Sequence, residues 1–242
     1  MEAYDHYISI SLAIGLIALF SLFSSLKQPK EKWKSILVLW GIGLGMAIFA
    51  NKILICTNIE RIHFFQYAIL AIIIRCILKD DFAALWITAY AGILDETINY
   101  IWHPQFTKYL DFNDFILNFI GAFLGIVFFS TFYNAHSPSH FTSKPRKFVY
   151  LTAIILFVGF FLGIFTKHLI PYHPPLNKFL VFQKIQGKYT FILSFIKPNS
   201  FWTITSYGRK YHILSPFEGT VVLAGLFLIS MAIFKSYIKA GP

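Results

Sequence analysis

Seven apolar runs, each about 20 residues long, leave this chain few ways to fold. They are Tyr7–Leu26, Ser35–Ile55, Ile62–Leu78, Phe82–Trp102, Asp114–Tyr133, Phe148–Ile170 and Phe217–Phe234. At a rise of about 1.5 Å per residue, a helix of that length crosses the ~30 Å hydrocarbon layer of a bilayer. Charged residues make up only 13% of the chain, against roughly 25% in a soluble domain. Disorder, a collagen-like chain and a disulfide scaffold are thereby excluded. The fold predicted is all-α: a polytopic helical membrane protein of about seven transmembrane helices.

Charge orients the spans. The segment before the first run carries Glu2 and Asp5 and no Lys or Arg, the reverse of a secretory signal. Lys27, Lys30, Lys32 and Lys34 follow that run, so the positive-inside rule places the N-terminus outside. Inner segments then hold ten Lys or Arg, and short outer segments hold three: Lys52, Arg61 and Lys108. The C-terminus, with Lys235 and Lys239, falls in the cytoplasm. The net charge of +10 could suggest nucleic acid in a soluble chain, but Lys far outnumbers Arg and no nucleic-acid motif occurs. Basic loops at anionic headgroups account for it, so the partners expected are membrane lipids and not nucleic acid. A bacterial cytoplasmic membrane is the expected location. Cys56 and Cys76 fall at opposite ends of one span, too far apart to bridge.

The chain divides into residues 1–61 with two spans, 62–133 with three, and 134–242 with two more separated by a long outer segment, 171–216. That segment is rich in Pro and aromatics and too apolar for a free coil. It is predicted to be an ordered cap of short interfacial helices or strands. His136 and His140 have i, i+4 spacing, but the surrounding Ser and Pro make a loop the simpler reading.

Ionisable groups inside spans are costly and mark function by default. The third span opens with His63, Gln66 and Tyr67, at i, i+3 and i+4. The fourth holds Asp95 and Glu96, with Asn99 a turn on. The fifth opens with Asp114, which also suits an N-cap, and continues to Asn118, Gly121 and Gly125 along one stripe. The alternation of the spans brings all three sets to the outer side, with Glu96 about 9 Å below the edge. Gly121-x-x-x-Gly125 permits close helix packing. His63, Glu96, Asp114 and Asn118 are the candidate catalytic residues. Gln66, Tyr67, Asp95, Asn99, Lys108, Asp111 and His212 are candidate substrate-binding residues.

These residues resemble a known pattern. His63-x-x-Gln66-Tyr67, then Glu96-x-x-Asn99, then Lys108-x-x-Asp111-x-x-Asp114-x-x-x-Asn118-x-x-Gly121 is similar to the VanZ-like family of integral membrane proteins, associated with teicoplanin (glycopeptide) resistance. The resemblance spans roughly 62–128. It departs at Gln66, Asn99 and Lys108, where the family has Glu, Gln and Arg. It implies a cell-envelope setting and an antibiotic-resistance association rather than a named reaction.

Three function classes stay open. The first is an enzyme acting from the outer face on a lipid-linked or cell-envelope molecule, with Glu96 as general base and His63 as partner acid. The second is a non-catalytic factor that binds a lipid or glycopeptide headgroup in the same pocket. The third, a transporter, is disfavoured by the apolar inner halves and the lack of inverted repeats. No motif names a cofactor. No metal is assigned, because a divalent ion on Asp111, Asp114 and Glu96 suits the residue types but no spacing demands one.

Overall fold

A computed structural model describes residues 30–132, 143–176 and 178–239. The first apolar run, Tyr7–Leu26, and the pair His136 and His140 lie outside the described residues. Within them the long helices are α1 (Lys30–Ile53), α2 (Ile62–Leu78), α3 (Asp81–Trp102), α4 (Phe112–Phe132), α5 (Ser143–Phe165) and α6 (Pro216–Lys239). Five of these, all but α3, are long and apolar enough to cross a membrane. At 22 residues α3 is as long as its neighbours, but it carries Asp81, Asp95 and Glu96.

Local chemistry sets the helix ends. Lys79 closes α2 in the left-handed region, with φ 55°. Asp80 then caps α3 by accepting the Ala83 N–H at 2.9 Å. Asp111, not Asp114, caps α4: its Oδ1 accepts the N–H groups of Asn113 at 2.9 Å and Asp114 at 3.3 Å. Asp114 is instead at the third position of the helix, where its side chain is free to turn inward.

Helix α4 is the centre of the bundle. Burial covers 72% of its apolar window against 11% for α5, so α4 is the shared core and α5 a peripheral helix. The reason lies in composition. From Phe112 to Val127 α4 is apolar or small on nearly every face, so it can be surrounded. Two glycines fix its distance to α2. A Cβ on Gly121 would stand 2.8 Å from the Phe64 carbonyl oxygen, and one on Gly125 only 2.3 Å from that of Ala68. Elsewhere aromatic rings fill the space. Trp86 packs on Phe119 and Phe227, and its Nε1–H donates to Ser230 Oγ at 2.9 Å. The outward faces carry exposed apolar side chains, such as Ile69, Ile73 and Ile77 on α2 and Leu151, Ile154 and Ile155 on α5. Contiguous apolar surface of this extent suits lipid rather than water.

At one end of the bundle, Arg75 pairs with Asp81 while Arg146 pairs with Asp80 at 2.6 Å. Each guanidinium also lies over a ring, that of Phe129 and that of Phe82 respectively. The α2–α3 turn is thus fastened to the start of α5.

The opposite end of this mostly helical chain carries a small β cap, which settles the choice between short helices and strands in the outer segment for strands. Strands β1 (Leu169–Ile170), β2 (Phe182–Ile185) and β3 (Lys188–Ile192) form one sheet in the order β1-β3-β2, and β4 (Thr203–Ile204) pairs with β5 (Lys210–Tyr211). The run predicted as 148–170 therefore ends as a helix at Phe165. The β2–β3 hairpin turns on Gln186 and Gly187, both at positive φ (50° and 82°), the two-residue geometry that matches strand twist.

The cap is bound to several helix ends. Tyr100 donates to the Ile192 carbonyl at 2.9 Å, Leu110 N–H to that of Leu193 at 2.8 Å, and Tyr207 to that of Cys56 at 2.5 Å. Asn113 is the main knot. Its amide donates to the carbonyls of Leu54 at 2.9 Å and His212 at 2.7 Å, and its Oδ1 accepts the Leu214 N–H at 2.9 Å.

Candidate functional site

His63 opens α2, Glu96 lies six residues before the end of α3, and Asp114 is in the first turn of α4. Because these helices alternate in direction, all three residues meet at the capped end. A 3₁₀ turn, Asn58–Arg61, leads into His63. It is held by Glu60, whose carboxylate accepts the N–H groups of Cys56 at 2.7 Å and Thr57 at 2.9 Å.

The imidazole is the hub. Its Nδ1 donates to Asn118 Oδ1 at 2.8 Å, in the tautomer that carries hydrogen on that nitrogen. It also stands 3.9 Å from Glu96 Oε1, while Nε2 stands 3.8 Å from Asp114 Oδ2. One ligand-type atom from each of His63, Glu96 and Asp114 lies within 4.8 Å of the other two. Asn118 is fully buried and Glu96 nearly so. Asp114 Oδ1 and Asn118 Nδ2 are enclosed without a hydrogen-bond partner. No Lys or Arg among the described residues lies within ion-pair distance of Glu96 or Asp114; His63 is the basic group beside them.

The surroundings hold this arrangement rigidly. Tyr67 is stacked near His63, with centroids 6.2 Å apart, and donates to Asp95 Oδ2 at 3.1 Å. Gly92, one turn before Glu96, supplies a slot: a Cβ there would approach Asn118 Nδ2 to 2.8 Å and the Tyr67 ring to 3.0 Å. Just outside the helices, burial and the nearby Glu60 carboxylate push the Asp111 carboxyl above the usual carboxylate range, although two backbone N–H groups bond to it. Burial also raises the Tyr109 hydroxyl, with Asp111 adding to the effect.

The four candidate catalytic residues are thus brought together. The others divide. Tyr67 and Asp95 form the adjoining hydrogen bond, Asn99 lies beside Glu96 on the exposed side, and Asp111 is the cap of α4. Gln66 is exposed. Lys108 is exposed, in the left-handed region at φ 60°, and its carbonyl accepts the Phe195 N–H. His212 belongs to the cap, stacked on Phe201 at 4.0 Å, with Nδ1 bonded to the Phe201 carbonyl and Nε2 3.5 Å from Glu218. Two contributors have no sequence-level role assigned above. Gly92 is signalled by its i, i+4 relation to Glu96. Asn113 has no such signal, since its partners are backbone groups distant in the chain.

A separate apolar cavity of about 280 Å³ lies between α3, α4, α5 and α6, lined by Trp86, Ile93, Phe115, Phe160 and Leu223 among others and by none of the four clustered residues. Helix α3 forms a wall of both spaces. Comparison of the chain with protein-family models, with curated proteins and with solved structures gave no match.

Proposed function

We propose that this chain is a VanZ-like integral membrane protein that acts, through the His63–Glu96–Asp114–Asn118 pocket, on a lipid-linked or cell-envelope molecule. The observation that carries this reading is the meeting of an imidazole and two carboxylates, from three helices, at one end of an apolar bundle. Groups so placed are expensive unless they are used. His63, with Nδ1 committed to Asn118, presents Nε2 to the pocket for proton transfer, with Asp114 3.8 Å from Nε2 and Glu96, the deeper carboxylate, 3.9 Å from Nδ1.

Glu96→Gln keeps the shape of the side chain and removes the base. Wild type and variant, purified with native membrane lipids, are compared by mass spectrometry of the lipid-linked species. The variant is expected to retain a species that wild type converts. Equal lipid profiles would refute catalysis, and loss of the bound species without any conversion by wild type would favour a non-catalytic binder.

The topology belongs to the same proposal: seven spans in a bacterial cytoplasmic membrane, N-terminus outside, with the capped end facing out. In a background lacking Cys56 and Cys76, Lys197→Cys is expected to react with an impermeant maleimide on intact cells. Lys34→Cys is expected to react only after permeabilisation, and the opposite pattern would invert the orientation.

A further inference from the structure

We propose that the pocket is a divalent transition-metal site, with His63, Glu96 and Asp114 as ligands and Asn118 as the group that positions the imidazole. The inference rests on the functional reading above for its biological purpose, but not for its geometry; with an ion bound, His63 Nε2 and Glu96 would serve as its ligands in place of the direct proton transfer.

The donors suit such an ion. One imidazole nitrogen and two carboxylates make a mixed N/O set, which favours Zn²⁺, Mn²⁺, Fe²⁺ or Co²⁺ over the all-oxygen preference of Mg²⁺ and Ca²⁺. The separations suit it as well. Ligand atoms bound at roughly 2.0–2.2 Å from one ion lie about 3–3.5 Å apart. The His63 Nε2 to Asp114 Oδ2 gap of 3.8 Å is close to that spacing and too long for a hydrogen bond. The remaining separations are all within 4.8 Å.

Three further observations favour a cation at this position. The hydrogen bond to Asn118 fixes the imidazole tautomer and leaves the Nε2 lone pair on the Asp114 side, as an outer-shell partner of a metal-bound histidine does. Asp114 Oδ1 is enclosed with no donor. Two largely buried carboxylates share the space with no Lys or Arg among the described residues at ion-pair distance. A divalent ion supplies that charge, and three protein ligands leave a coordination position for water or a substrate oxygen. This ligand set replaces the Asp111, Asp114 and Glu96 set compatible with the sequence, because Asp111 is committed to capping α4.

The test uses the full chain purified in detergent, stripped with chelator and titrated with Co²⁺ by visible absorbance and with Zn²⁺ by elemental analysis after desalting. Wild type is expected to bind one equivalent. Glu96→Gln and Asp114→Asn should each weaken binding at least tenfold, His63→Ala should abolish it, and Asn118→Ala should weaken it about 10–100-fold with the ligands intact. His173→Ala, in the cap, should bind as wild type does. Circular dichroism confirms that each variant is folded.

Absence of a stoichiometric ion in wild type, or unchanged binding in Glu96→Gln and Asp114→Asn, would overturn the site. Lipid conversion that depends on Glu96 in a protein that binds no ion would remove the metal and leave the functional reading. Glu96-dependent ion binding with no lipid converted would do the reverse.

Discussion

Gly125→Ala is expected to cost about 3 kcal/mol, the upper end of the usual overpacking penalty, and to lower the thermal midpoint in detergent accordingly. The new methyl would meet backbone: the Ala68 carbonyl oxygen at 2.3 Å and Ala68 Cα at 2.7 Å. Backbone cannot rotate out of the way as a side chain does, so α2 must move away from α4. His63 is on α2 and Asn118 on α4, so their 2.8 Å hydrogen bond is lost with the same movement. A matched control is available in Gly159→Ala on α5, where a Cβ would meet nothing within 4 Å. That change should be neutral, or stabilising by up to about 1 kcal/mol through helix propensity. Equal midpoints for the two variants would show that the α2–α4 seam is not close-packed.

Asn113→Ala should be as damaging by a different route. It leaves the carbonyls of Leu54 and His212 and the N–H of Leu214 without their partner, at a site where Asn113 is only 4% exposed. A buried polar group without a partner costs about 1–3 kcal/mol, so the loss is on the order of 3–6 kcal/mol. The damage should be local before it is global, with the cap leaving the helix ends first. Limited proteolysis within 171–216 is expected to accelerate in the variant well before the far ends of the helices become susceptible. Cleavage at the wild-type rate would show that the cap is held by other contacts.

Much of the helical frame can be read from the chain because a bilayer-length apolar run leaves little alternative. The run Ile62–Leu78 is helix α2 to the residue, and the run at Phe82 starts one residue inside α3. The start of α4 is harder to place. Asp114 and Asp111 are equally good capping types, and only the path of the chain shows that the cap is Asp111.

The polar cluster follows partly from periodicity. At about 100° per residue, Gln66 and Tyr67 fall on opposite sides of His63, about 100° apart. A shared stripe in sequence therefore becomes an exposed Gln66 and a buried Tyr67 once α4 packs against one flank. Lys108 and His212 follow no helix phase, because loop path and strand pairing set their positions. The strands themselves are short and depend on anchors far away in the chain, which no local pattern reports.

The Asn113 knot also has a consequence for the order of assembly. Its three bonds span 59, 99 and 101 residues. Closing such loops carries an entropic cost that is recovered only after the intervening helices have found each other. Neighbouring pairs such as α2 and α3, joined by a turn at Lys79 and Asp80, need no such wait. During synthesis His212 and Leu214 emerge after α1 to α5, so Asn113 passes through an interval without two of its three partners. The cap is therefore the last part of the fold that can be fastened, and Asn113 is the residue on which that final step closes.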